Sequence, residues 1–458
     1  MSLLEHPKAQ ELLADAEVSA AAVRGCQQRL TRFLERYLPK FYREEQRELA
    51  EVVLQGKLSH LQRKTSEPIA YQAGRQRKPV QNFVGAGAWD DEAVMAELRQ
   101  HVAQARGPEE GVAVVDGSGF AKKGTESCGV ARQWCGRLGK VDNCQVGVFL
   151  AYVTEGGMAP LDRRLYLPRE WAQDNKRRKK CHVPKEVKFQ EGWRIALELL
   201  DRSRQDVSFA WVAADDEFGR ASEFRASLRF RKLFYVLDIP SNIAVRPLQA
   251  VAWSNVEAVA REQPSSRWRK ITLGPGSKGP KVVRALRLGV QTRDDEGRPG
   301  TVEELVVIRT VDREPRTWYT LARGPEETTL EKLVTVHARR HGIEELLERG
   351  KGEVGLGQYE VRSWVGWHHH MTLSLLAVWF LILERDRLGG ENPGRNGAPD
   401  ARAIRPFAQA ETGNAQADRR GDQRGSAAQR RGAHLRLARA TQNFSPAAAG
   451  TRRIEGLQ

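Results

Sequence analysis

Cysteine and methionine are scarce in this chain, with five Cys and four Met in 458 residues. Cys26, Cys128, Cys135, Cys144 and Cys181 are odd in number and form no CxxC pair, which argues against an ordered disulfide framework or a zinc ribbon and fits a reducing compartment. Long apolar runs are missing too. The longest, Met371 to Leu383, is interrupted by Thr372 and Ser374; it is too short for a bilayer and reads as a buried core helix. The N-terminus MSLLEHPKAQ carries Glu5 and no apolar h-region, so no signal peptide, no membrane partner and a cytoplasmic location are expected. The G-x-G-x-x-G spacing is absent around Gly117, Gly119 and Gly124, which leaves a nucleotide cofactor without support. Acid is in deficit: 58 Asp+Glu face 74 Lys+Arg, a net charge of +16 with a pI near 9.8. Such a surplus points to a polyanion, of which nucleic acid is the commonest.

Five stretches differ in texture. Residues 1–105 read as helical, with Leu30, Phe33, Leu34 and Leu38 at helical spacing and acids Asp90–Glu92 opening another helix. Arg43, Arg47, Lys57, Arg63, Lys64, Arg75, Arg77 and Lys78 interleave there, consistent with either a solvated helical domain or a DNA-binding region; no clear helix-turn-helix signature decides between them. From 106 to 242 the pattern is α/β: the strands GVAVVDGSG, QVGVFLAYV, FAWVAADDEFG and LFYVLDIP alternate with helical segments, implying a sheet covered by helices. Residues 243–329 read as a β-rich insertion of short strands, and helices return over 330–388. The segment 389–458 holds 12 Arg and no Lys, Val, Trp, Tyr, Met or Cys; its composition is that of disordered chain, and its abrupt onset that of a frameshifted end. Residues 1–388 keep a net charge of +10 without it.

Asp116 ends the VAVV run and Asp215 ends FAWVAA, with Asp216 a competing choice. Either acid alone suits a turn or a helix cap. Two at the ends of core strands can converge on a metal, and carboxylate oxygens suit Mg2+ or Mn2+. His337, Arg340, Glu344 and Lys351, at offsets of about 3, 4 and 7, would project from one face of a single helix, with Ile343, Leu346 and Leu347 anchoring it. Such a stripe is either a salt-bridged surface helix or an acid ligand beside phosphate contacts.

These residues resemble the insertion-sequence transposases of the DDE superfamily, in the branch whose glutamate lies in Y-x2-R-x3-E-x6-K. Arg340, Glu344 and Lys351 match that signature, and His337 replaces its tyrosine. VVDGSGFAKKG, LYLPREW, ADDEFG and IEELLERGKGEVGLGQYEVRSWVGWHHH are similar to the same branch, over roughly residues 40–390. The resemblance implies an α/β fold: an RNase H-like catalytic core interrupted by the β-rich insertion and preceded by a helical N-terminal DNA-binding region. It implies a metal triad of Asp116, Asp215 and Glu344 binding two Mg2+ (or Mn2+) ions, with Asp215 preferred because Phe218 and Gly219 then complete D-x-x-[YF]-G. His337, Arg340 and Lys351 would hold the DNA backbone. The implied activity is cleavage of transposon ends and their joining to target DNA by two-metal phosphoryl transfer, on double-stranded DNA and as a homodimer. A nuclease without strand transfer, or an inactive relative retained as a DNA-binding protein, are the rival readings.

The run Lys176, Arg177, Arg178, Lys179 and Lys180 is expected at phosphates rather than in a solvated loop. His368, His369 and His370 point in different directions on a helix and cannot make one metal site; a helix surface near DNA is expected for them, with Trp364 and Trp367 in the core. Cys128, Cys135 and Cys144 read as small apolar packing groups, and Trp253 and Trp268 as insertion core rather than base-stacking platforms.

Overall fold

The computed structural model describes residues 24–107, 111–276, 279–294 and 296–391. The Arg/Ala-rich tail beyond Glu391 therefore lies outside the described residues.

Five helices open the described chain: α1 (Cys26–Tyr37), α2 (Glu44–Leu58), α3 (Ser66–Gln72), α4 (Arg77–Ala86) and α5 (Asp91–Arg106). Helix α5 starts where the acids stand, Asp90 accepting from the backbone N–H groups of Glu92 and Ala93. They gather around α14 (Trp364–Glu391), whose residues from Gly366 to Ile382 are all buried; it packs against α2, α4, α5 and a sheet strand. A helix apolar on every side belongs inside a protein. No helix among the described residues is long and apolar enough to cross a membrane.

The enclosure of α14 overturns the surface reading of the three histidines. All are buried: His368 donates to the Trp364 carbonyl (2.9 Å), His369 to that of Trp89 (3.1 Å) and His370 to that of Leu356 (3.0 Å). Three successive side chains do point three ways, and each direction meets a packed neighbour. Burial holds the imidazoles neutral, pulling His368 down to about 3 and His369 to about 4.

The sheet begins with β1 (Val112–Ala121), β2 (Ala131–Cys135), β3 (Lys140–Thr154) and β4 (Gly157–Leu165). After α6 (Arg169–Gln173), α7 (Asn175–Lys180) and α8 (Gly192–Ser203) come β5 (Trp211–Ala214), α9 (Asp216–Gly219), α10 (Ser222–Phe230) and β6 (Phe234–Ile239). Across the sheet the order is β4-β3-β1-β5-β6, antiparallel from β4 to β1 and parallel from β1 to β6. This is the RNase H-like arrangement. Its helices α8 and α10 cover the sheet with Ile195, Leu199, Phe224 and Leu228.

Residues 243–329 form β7 (Ala244–Pro247), β8 (Ser254–Asn255), α11 (Val256–Arg261), β9 (Arg269–Gly276), β10 (Gly279–Arg293), β11 (Pro299–Thr310) and β12 (Thr317–Arg323). Two of these strands are long rather than short, and the set is no separate layer: β12 pairs antiparallel with β6, so the insertion continues the core sheet. Alternation along the strands divides its side chains between two cores. Ala285, Val306, Ile308 and Ala322 face the main core, while Leu286, Leu288, Leu305, Val307 and Leu321 build a second one with Val256 and Val259. Trp268 packs on that second core as expected, and Trp253 lies between Arg246 and Arg293. All five cysteines are buried and free, Cys128, Cys135 and Cys144 among them as the packing groups expected. Helices α12 (Leu330–Arg339) and α13 (His341–Glu353) then return the chain to the RNase H-like half.

Candidate active site

The parallel pairing of β1 with β5 ends at Val115 and Ala214, and that of β5 with β6 at Ala214 and Leu237. The next residue on each strand is an aspartate. Asp116, Asp215 and Asp238 thus stand in one row across the carboxyl ends of three neighbouring strands, whose spacing is about 4.8 Å. Asp215 also caps α9, its Oδ1 accepting from the Glu217 N–H at 3.1 Å, so the helix-cap role and the site role coincide. Buried Phe218 anchors this turn, and Gly219 lets it touch β6: a Cβ at Gly219 would lie 2.0 Å from the Asp238 carbonyl oxygen.

Crowding like charges in a partly dry site favours the protonated acids. Burial, then the charge of Asp215, pushes Asp116 up to about 8. Burial, then the neighbouring Glu217 and Asp216, pushes Asp215 up to about 7.

Glu344 comes from above the row. The single helix expected over His337 to Lys351 is two: α12 ends at Arg339, Arg340 belongs to neither, and α13 starts at His341. Three-residue hydrogen bonds, Arg340 N–H to the His337 carbonyl and Ile343 N–H to that of Arg340, mark the interruption. Gly342 lets the start of α13 sit close on β3, since a Cβ there would lie 2.7 Å from the Val153 side chain.

The break separates the four residues. Glu344 and Lys351 stay on α13 and line one cleft of about 610 Å3 with Asp116, Gly117 and Arg137. Asp215, Asp216, Asp238 and Arg340 line a second, of about 410 Å3. Arg340 links the two, its Nη1 2.7 Å from Glu344 and its Nε 3.2 Å from Asp238. His337 is turned to Asp238 as well, at 3.1 Å, and lies against Trp318. These are close approaches to Asp238 whose N–H directions are not aligned for hydrogen bonds. His341 adds a hydrogen bond to Glu344 at 3.1 Å, and that bond, with Arg340 beside it, holds the Glu344 carboxyl below its ordinary value. Burial lowers Lys351, whose ammonium group lies 5.6 Å from the Phe120 ring. Among the described residues no three acidic, histidine or cysteine side chains converge closely enough, as placed, to ligate one ion.

Sequence reasoning missed Asp238 and His341. Asp238 carried a readable signal, since LFYVLDIP ends in an acid as the other two core strands do. His341 carried none beyond its place one turn before Glu344.

The five-cation run forms α7, capped by Asp174. Arg178 is spent on structure, donating to the carbonyls of Val187 (2.7 Å) and Pro184 (2.8 Å). Arg177 lies 3.6 Å above the Trp171 ring, Lys180 pairs with Glu126, and Lys176 and Lys179 are exposed.

A family profile described as DDE superfamily endonuclease matches residues 36–305, more than half of the chain and inclusive of Asp116 and Asp215. The chain belongs to this family. The DDE endonuclease is also similar to a probable transposase for insertion sequence element IS701 from Microchaete diplosiphon, with 26% identity over 314 residues that cover 67% of this chain and 74% of the relative.

Proposed function

We propose that this DDE endonuclease is an insertion-sequence transposase that cuts transposon ends and joins them to target DNA, with Asp116, Asp215 and Glu344 as its metal-binding triad. The observation that carries this is the placement of Asp116 and Asp215 side by side at the ends of β1 and β5, with Glu344 lining the same cleft as Asp116. The likeness to a relative named as a probable IS701 transposase favours joining as well as cutting.

The donor set suits a hard divalent cation. Carboxylate oxygens are its preferred ligands, and a dication offsets the burial and the neighbouring negative charges that raise Asp116 and Asp215. Bound there, two Mg2+ or Mn2+ ions would supply activation of the attacking water or 3′-hydroxyl and neutralisation of the leaving oxygen. The protein's own residues do the rest. Arg340 holds Glu344 and Asp238 in place, and His337 steadies Asp238 from the α12 side. Lys351 and Arg137 face the cleft that holds Asp116 and would grip the DNA backbone near the scissile bond. Exposed Lys176 and Lys179, with Lys180, extend the phosphate contacts, and the α1–α5 region supplies end binding. Two copies would act on paired ends.

The test is Mg2+-dependent cleavage of the gene's own flanking DNA with a target plasmid present. Cleavage followed by joining supports the transposase; cleavage without joining leaves a nuclease; tight binding without either leaves a DNA-binding relative.

A further inference from the structure

A second basic pocket lies beside the catalytic cleft, walled by α2, α4, the Gly355–Arg362 loop and the start of α14. Its volume is about 210 Å3, and its polar lining includes Lys57, Lys64, Thr65, Gln81 and Tyr359. Gln358 is shared: it lines this pocket and the catalytic cleft, and its amide is fixed by the Lys64 N–H (2.6 Å) and the Gln62 carbonyl (3.2 Å).

Lys57 is the unusual element. Its side chain is 1% exposed, on the face of α2 that meets α14. A buried ammonium is costly unless an anion compensates it, and no carboxylate among the described residues pairs with Lys57. Its neighbours are neutral: the ammonium donates to Ser374 Oγ at 2.8 Å and lies 3.5 Å from His370 Nδ1. His370 Nε2 faces the Leu356 carbonyl at 3.0 Å, so it carries the ring proton and leaves Nδ1 as an acceptor. The third ammonium proton remains for the cavity. Lys64, which donates to the Ser59 carbonyl, adds a second buried cation to the same cavity. The one acid on the wall, Glu360, is paired outward with Arg63. Burial and the charge of Lys64 together pull Lys57 down to about 7, the state of a cation that lacks its anion.

We infer that this pocket binds a backbone phosphate of the transposon-end DNA, with Lys57 as its central donor. Its inference rests on the transposase reading, because a strand leaving the catalytic cleft over Gln358 reaches this pocket next. The contact would tie α2 of the N-terminal helices to the catalytic half, so that a bound end is held across the loop between α13 and α14. Burying one phosphate against Lys57 and Lys64 replaces an uncompensated charge with a paired one.

The experiment measures binding of the full chain to a flanking-DNA duplex by fluorescence anisotropy over a salt series, for wild type, Lys57→Met and Lys57→Gln. Each phosphate contact contributes about 0.9 to the slope of log K against log salt. Both variants should lose about that much slope and bind several-fold more weakly, while the melting temperature of DNA-free Lys57→Met is unchanged or higher, since a buried charge has gone. A scan of duplexes with single neutral methylphosphonates should find one position that weakens wild type and leaves the variants unaffected. An unchanged salt slope with a lowered melting temperature would make Lys57 structural and overturn the inference. A slope loss that no methylphosphonate position reproduces would assign the pocket to free phosphate from the buffer and equally overturn it. Wild type that fails to bind the duplex at all sinks the transposase reading itself, whereas wild type that binds and cuts while the variants keep its slope sinks only this pocket.

Discussion

Arg340 lies 2.7 Å from Glu344 across the break between α12 and α13, and the same guanidinium approaches Asp238 at 3.2 Å. One side chain thus spans a helix and the sheet, fixing the acid contributed by α13 relative to the row contributed by the strands. A fork with separate N–H groups can do this, and a point charge cannot. Arg340→Ala and Arg340→Lys should both reduce DNA cleavage, by about 10-fold or more, since positioning errors of an ångström are costly in catalysis. The check is the cleavage rate under single-turnover conditions with DNA binding measured alongside; full rescue by Lys would contradict the bridging role.

The pH dependence of stability should reveal the crowded acids. In the metal-free protein Asp116 keeps its proton up to about pH 8, against an ordinary carboxyl value of 3.8. The folded state therefore binds this proton more tightly than the unfolded state, so the group's contribution is present at low pH and is lost as pH rises toward 8. Asp116→Asn removes the loss. Thermal melts in a chelator should show the variant gaining on wild type from about pH 5 until the gain levels off above about pH 8, by about 4 kcal/mol in all. Added Mg2+ should stabilise wild type and not the variant.

A buried cluster joins the insertion to the core. Arg225 on α10 donates from Nε to Glu303 on β11 at 3.0 Å and from Nη1 to the Gly219 carbonyl at 2.7 Å. Tyr235 and Thr292 hydroxyls donate to the same carboxylate at 2.6 and 2.8 Å. Glu303→Ala would leave the guanidinium unpaired beside the turn that presents Asp215, at a cost of about 3–5 kcal/mol. Chemical denaturation measures the stability loss.

The cations of α7 should separate by role. Lys176→Ala with Lys179→Ala should weaken binding to all DNA sequences alike and flatten the salt dependence, without lowering the melting temperature. Arg178→Ala should do the reverse, because it strips partners from the Val187 and Pro184 carbonyls. Anisotropy and thermal melts on the same preparations distinguish them.

Much of this was legible in the chain itself. Apolar runs ended by acids located β1 and β5, the run LFYVLDIP located β6, and the spacing around Glu344 located a helical segment that faces them. What stayed hidden depends on register and enclosure. Nothing local says that Val115, Ala214 and Leu237 lie level, which is what brings Asp238 into the row. The close seating of α13 on β3, where Gly342 meets Val153, is a contact between distant segments. His368 to His370 read as a polar surface because their burial comes from helices far away in sequence, and the five cations of α7 looked equivalent until Arg178 met its carbonyls. Likewise the long strands of residues 243–329 betrayed their alternation but not their union with β6.

The most direct measurement is Mg2+-dependent cleavage of flanking DNA by wild type beside Asp116→Asn, Asp215→Asn and Glu344→Gln, with DNA affinity recorded for each. Loss of cleavage in all three, at near wild-type affinity, is the predicted result. Cleavage that persists in any of them with binding unchanged would contradict the triad.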